Sequence, residues 1–158
     1  MKILFAGEGG QGVQVIAEIL AQAAIEQGKR ATYIPNFGVE QRGGVSLAYV
    51  IINQQPIVYP KFEKADILAV LSERSWDRAE QYLNPKTIVI RGPAMREGLQ
   101  SSLPPKVGNL VVLGKVNQVG KIVDHQFLFE AMEDRFAKQF QDHPELRTLD
   151  RQALQEQK

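Results

Sequence analysis

The sequence predicts a single α/β domain over residues 1–158, three-layered and Rossmann-like, on a mainly parallel sheet that becomes mixed if its third strand runs antiparallel. Three observations lead there. Short apolar runs alternate with stretches of helical period. The first run passes through a glycine-rich turn straight into a helix. With 44% apolar residues, 158 residues suffice for one ordinary core without a metal or disulfide staple.

The elements follow in order. Lys2 to Ala6 reads as a short buried strand, and from about Gln11 the period changes. Val13, Ile16, Ala17, Leu20, Ala21, Ala24 and Ile25 recur at three- and four-residue spacing, giving a helix with one apolar face that Gly28 can stop. "ATYIP" is the second strand. The link "NFGVEQRGG" to "VSLAYVIIN" is shorter than the dozen or so residues of a parallel crossover, so the third strand is expected to run antiparallel. After "NQQP", the run "IVY" between Pro56 and Pro60 reads as a short edge strand.

"ADILAVLS" is a buried strand whose last residue, Ser72, can cap the helix "ERSWDRAEQYL" through its hydroxyl. "KTIVIRG" is the next strand, and Pro93 to Gly108 is rich in turn residues. "NLVVLGKVNQVG" fits strand or helix by period and is read as a helix. Asp124 is placed to cap one long helix with Phe127, Leu128, Ala131, Met132, Phe136 and Phe140 as its apolar stripe. Beyond Pro144, Leu146, Leu149 and Ala153 mark a short helix. Too short to stand alone, the segment 144–158 is expected to dock on a partner chain or stay mobile.

Composition narrows the chemistry. The net charge is +1 with no basic stripe, which argues against nucleic acid. Cysteine is absent, so the chain supplies no thiolate to an iron–sulfur cluster or zinc site and no cysteine nucleophile. His125 and His143 are the only histidines, and no metal site is expected. The apolar start is too short for a signal peptide, and no run approaches the ~20 residues of a membrane span, so a cytoplasmic location without membrane contact is expected. No general base or nucleophile stands out, and no catalytic residue is assigned.

The turn "GEGGQG" places Gly7, Gly9, Gly10 and Gly12 around Gln11. Glycine accepts positive φ and lets backbone approach a ligand closely, while the helix that follows offers unpaired amides and a positive dipole end. A nucleotide P-loop is ruled out, because Val13 and Gln14 stand where lysine and a hydroxyl residue are needed. A dinucleotide site has the right strand–turn–helix context, but Tyr33 to Asn36 provides no carboxylate for the ribose. A third reading joins this turn to a second glycine loop, "GVEQRGG", with Gly38, Glu40, Arg42, Gly43 and Gly44. If the first two strands are parallel, both loops share one sheet edge, where amides and the Arg42 guanidinium can meet an anion. Against this stands the plain alternative that both loops serve only tight packing.

Taken together, "GEGGQGVQVIAEILAQAA", "FGVEQRGGVSLAYVII" and "ADILAVL" resemble the gamma subunit, or gamma domain, of the 2-oxoacid:ferredoxin oxidoreductases, which act on pyruvate, 2-oxoglutarate, ketoisovalerate or indolepyruvate. That family's pattern is G-x-G-G-Q-G, then Y/F-G-P-E-x-R-G-G, then an A-D strand. Val39 departs from it, standing where the family usually has proline. The resemblance implies a multisubunit enzyme in which thiamine diphosphate, magnesium and iron–sulfur clusters lie on partner chains: alpha, beta and, in some members, a ferredoxin-like delta subunit. It implies for this chain an assembly role and a part in receiving coenzyme A, with the isolated chain inactive. Two alternatives stay open: an NAD(P)- or flavin-binding module, and a purely structural subunit without ligand.

Overall fold

In the computed structural model, which describes residues 1–38 and 43–156, five strands form one sheet. They are β1 (Lys2–Glu8), β2 (Arg30–Phe37), β3 (Val45–Asn53), β4 (Ile67–Val70) and β5 (Ile88–Arg91), in the spatial order β2-β3-β1-β4-β5. β3 pairs antiparallel with both β1 and β2, whereas β4 and β5 continue parallel from β1. Four of the five strands thus run in one direction and β3 runs against them, which makes the sheet mixed through its third strand, as the sequence led one to expect.

Side chains alternate across the pleat and feed two cores. Ile3, Phe5, Ala48, Val50, Ile67 and Ala69 face the larger one, which α1 (Val13–Glu26), α3 (Gly108–Gly120), α4 (His125–Arg135) and α6 (Glu145–Gln155) cover. Leu4, Ala6, Leu47, Tyr49, Leu68 and Val70 face the smaller one, closed by α2 (Glu73–Ala79), Phe62 and Met95. Edge-to-face contacts among Tyr49, Phe62 and Tyr82 fill it. Helices thus lie on both faces of the sheet.

Helix ends follow their residues. Gly28, at φ +85°, and Lys29 donate their amides to the carbonyls of Ile25 and Ala24, the double bond that closes a helix through a left-handed glycine. Ser72 Oγ accepts the Ser75 amide at 3.3 Å and caps α2, which ends at Ala79 in a 3₁₀ turn over Glu80–Tyr82. The ambiguous segment from Asn109 to Gly120 is helical, as α3.

Three expectations need correction. "IVY" forms no strand: Ile57 packs against the smaller core, while Val58 and Tyr59 are exposed, so nothing pairs this run with the sheet edge. The long helix after Asp124 is instead α4 followed by α5 (Ala137–Asp142), jointed at Phe136, where φ −106° and ψ 13° leave helical geometry. Asp124 stands at the start of α4, but its side chain makes no capping bond; its amide donates to Gln27 Oε1 instead. The terminal segment beyond Pro144 packs one face on α3, burying Ala153 and Leu154, and leaves its other face exposed. A Cβ on Gly114 would lie 2.3 Å from the Leu154 carbonyl oxygen, so the glycine is what lets these two helices approach.

Candidate functional site

Because β1 and β2 both run antiparallel to β3, they point the same way, and the turn after β1 and the loop after β2 leave from one rim of the sheet. The two touch. The Gly9 amide donates to the Gly44 carbonyl at 3.0 Å, and a Cβ on Gly9 would sit 3.4 Å from the Gly43 nitrogen. Gly38 donates to the Val45 carbonyl at 2.9 Å, and a Cβ there would fall 2.8 Å from that same oxygen. Gly10 and Gly12 take φ +91° and +75°, which side-chain-bearing residues rarely adopt. Gly7 is buried, with room for no more than a hydrogen between Val13 and Gln11. Glu40 and Arg42, with Val39, lie outside the described residues.

Gln11 is committed to structure. Its Oε1 accepts the Glu8 amide at 2.7 Å, and its Nε2 donates to the Leu71 carbonyl at 3.4 Å. The chain leaves β1 toward α1 on one face and leaves β4 toward α2 on the other, which opens a crevice between the two strand ends. Open α/β sheets place ligands in such crevices. Here the carboxamide of Gln11 bridges this one, so the ligand-accessible space lies to either side of the turn.

Two clefts flank it. One, of about 890 Å³, lies toward the second glycine loop and is lined among others by Glu8, Gly9, Gln14, Phe37, Gly43 and Ser46. The other, of about 480 Å³, lies toward α3 and is lined by Gly12, Gly92, Ser101, Leu103, Lys106 and Asn109 among others. α1 begins between them at Gly12 with no side-chain cap, so its first-turn amides and positive dipole end are directed to this rim. Glu8 carries the opposite charge there and pairs with Arg74 at 3.5 Å. Phe37, 68% exposed, stands at the mouth of the larger cleft.

Several residues here escaped the sequence reading. Gln14 donates to Ser46 Oγ and the Leu47 carbonyl at 2.7 and 2.9 Å, and accepts the Tyr33 hydroxyl at 2.6 Å. Burial, and then the nearby Glu18 carboxylate, push Tyr33 up to about 12, so it remains a neutral donor. Arg74 reaches the Gly43 carbonyl at 3.0 Å. Asn109 backs Gly12, where a Cβ would lie 2.2 Å from its Nδ2. Only Gln14 carried a signal, a polar residue in the first turn of a strongly apolar helix. The others depend on which loops the fold brings together.

The arrangement suits holding an anion through backbone amides and suits contact with another chain. The dinucleotide geometry is missing: β3 separates β2 from β1, so the end of β2 does not lie beside the strand that enters the glycine turn. Among the described residues, no group of three or more acidic or histidine side chains could hold a metal ion, and no helix is long and apolar enough to cross a membrane.

Comparison with known proteins places the geometry in context. A family model described as pyruvate ferredoxin/flavodoxin oxidoreductase matches residues 2–156. The 2-oxoglutarate synthase subunit KorC of Methanocaldococcus jannaschii is 29% identical over 157 residues, covering 87% of this chain and 84% of that protein. The crystal structure of a keto/oxoacid ferredoxin oxidoreductase gamma subunit from Geobacter sulfurreducens superposes with a TM-score of 0.76 at 25% identity, over 98% of this chain and 94% of that one. The 2-oxoglutarate:ferredoxin oxidoreductase of Magnetococcus marinus, solved with 2-oxoglutarate, coenzyme A and succinyl-CoA bound, superposes with a TM-score of 0.84. At 18% identity that likeness speaks for the fold alone, and this chain spans 30% of that longer one.

Proposed function

The chain belongs to the pyruvate ferredoxin/flavodoxin oxidoreductase family, and from that premise we propose that it works as the gamma component of a thiamine-dependent 2-oxoacid:ferredoxin oxidoreductase. The assembly converts a 2-oxoacid and coenzyme A to acyl-CoA and carbon dioxide while reducing ferredoxin. This chain joins the alpha and beta chains, and a ferredoxin-like delta chain where one exists, and its paired glycine loops help receive coenzyme A. Thiamine diphosphate, magnesium and iron–sulfur clusters lie on those partners, since the cofactors carry the redox and carbanion chemistry.

The observation that carries the reading is the Gly9–Gly44 contact. It joins two turns poor in side chains into one rim, beside which the uncapped start of α1 presents its first-turn amides. Phosphate groups are bound well by such a rim, and coenzyme A carries several. The absence of cysteine fits a chain that leaves electron transfer to others.

Reconstitution tests this. The chain alone is expected to oxidise no 2-oxoacid, whereas adding it to its partner chains restores coenzyme A-dependent ferredoxin reduction. In the reconstituted complex, Arg42→Ala is expected to raise the apparent coenzyme A constant. Full activity of the partners without this chain would remove the assembly role. An unchanged coenzyme A constant in an intact Arg42→Ala complex would remove the ligand role.

A further inference from the structure

We propose that Arg74, at the start of α2, is a positioning residue that locks the two glycine loops together and neutralises Glu8 at the mouth of their shared cleft. The inference rests on the anion-receiving reading above only for its second half; the lock stands on geometry alone.

Arg74 bridges three elements. Its Nη1 donates to the Gly43 carbonyl at 3.0 Å and lies 3.5 Å from Glu8 Oε1, while its backbone belongs to α2 on the opposite side of the sheet from α1. Ser72 fixes that helix start by accepting the Ser75 amide. The neighbouring Glu73 accepts the Arg96 amide at 2.9 Å, so the first turn of α2 also ties down the segment after β5. One short helix thereby braces both flanks of the rim.

The second loop needs such a brace. Gly43 takes φ +70°, and a Cβ there would meet nothing within 4 Å, so among the described residues this turn is held through its backbone, by the Gly44 carbonyl to Gly9 and the Gly43 carbonyl to Arg74. A guanidinium can hold a carbonyl and a carboxylate at once, because its donors form a rigid planar fork; an ammonium offers only a point charge. The Arg74 side chain is 54% exposed, which limits the ion pair itself to a small effect. Its larger consequence is electrostatic. Glu8 lines the cleft beside the amides, and unpaired it would repel any phosphate approaching them.

Two readouts test the two halves. Hydrogen exchange of the Gly9 amide, whose acceptor is Gly44, reports loop docking in the full chain without any ligand. Arg74→Ala is expected to speed that exchange about two- to fivefold, and Arg74→Lys to restore it only in part. In the reconstituted complex, Arg74→Ala is expected to raise the apparent KM for coenzyme A by a similar factor with kcat unchanged, and Glu8→Gln added to it should bring KM back. Unchanged Gly9 exchange in Arg74→Ala overturns the lock. Faster exchange with an unchanged KM keeps the lock and removes the coenzyme A reading instead. A raised KM that Glu8→Gln does not relieve overturns the charge-neutralising role.

Discussion

At the scale of single residues, the rim depends on amide side chains that serve the backbone. Gln14 is the clearest case: its carboxamide joins α1 to β3 through Ser46 and Leu47 and to β2 through Tyr33. Replacing it with leucine keeps the volume and removes its bonds to three partners, the Tyr33 hydroxyl, Ser46 Oγ and the Leu47 carbonyl. Leaving buried polar groups unsatisfied costs about 1–3 kcal/mol, more than the apolar surface gained by leucine returns at a half-buried site. Gln14→Leu is therefore expected to lower the urea midpoint with an unchanged m-value, and an unaltered midpoint would mean that solvent satisfies those groups. The glycines of the turn were legible as glycines because positive φ at Gly10 and Gly12 demands them. Gln11 read as a ligand or subunit-contact candidate; its bracing role was not legible, since nothing in a sequence reveals that its amide faces the end of β4.

At the scale of elements, α6 and its neighbours combine two opposite titrations. Glu133 on α4 is held below the usual carboxylate range, chiefly by its hydrogen bond to Arg147 and then by the Arg151 charge. A depressed carboxylate stabilises the fold above its unfolded pKa, and that gain is lost as pH falls through the folded value. Asp150 on α6 goes the other way: burial raises it, and the Lys106 charge offsets this only in part. Its folded form keeps the proton longer than the unfolded chain does, so stability falls as pH rises through that window and the ionised group remains a cost at neutrality. Asp150→Asn is expected to raise Tm at pH 7 and to lose that advantage near pH 3, below the ordinary carboxylate value of ~3.9. An advantage that persists unchanged at pH 3 would assign the effect to packing. Amphipathic period made α1 and α6 readable, whereas for α3 the period fitted strand and helix alike. The joint at Phe136 was not readable, because neither proline nor glycine marks it and the apolar stripe runs through it, with the tilted rings of Phe136 and Phe140 5.8 Å apart across the break. "IVY" failed as a strand for the complementary reason: β propensity without a neighbouring edge gives no ladder.

At the scale of the whole molecule, sheet order turns local motifs into a site. β3 inserts antiparallel between β1 and β2, which keeps the outer two strands codirectional and delivers both glycine segments to one rim. The brevity of the link after β2 made the antiparallel turn-back legible; the shared rim followed only on the further condition that β1 and β2 run parallel, which their common antiparallel pairing with β3 meets. The clefts on either side were not legible, since Lys106 and Asn109 join one of them, and Arg74 reaches the loop beside the other, only through packing of distant segments. A rim of this kind, on a chain without cysteine, is suited to binding and docking within a larger enzyme. The most direct measurement is hydrogen exchange of the assembled complex with and without coenzyme A, read at the amides of Gly9, Gly10, Gly12 and Gly44. The account predicts slower exchange at these amides when coenzyme A is bound. Equal exchange with and without it, in a complex that turns over substrate, would contradict the account.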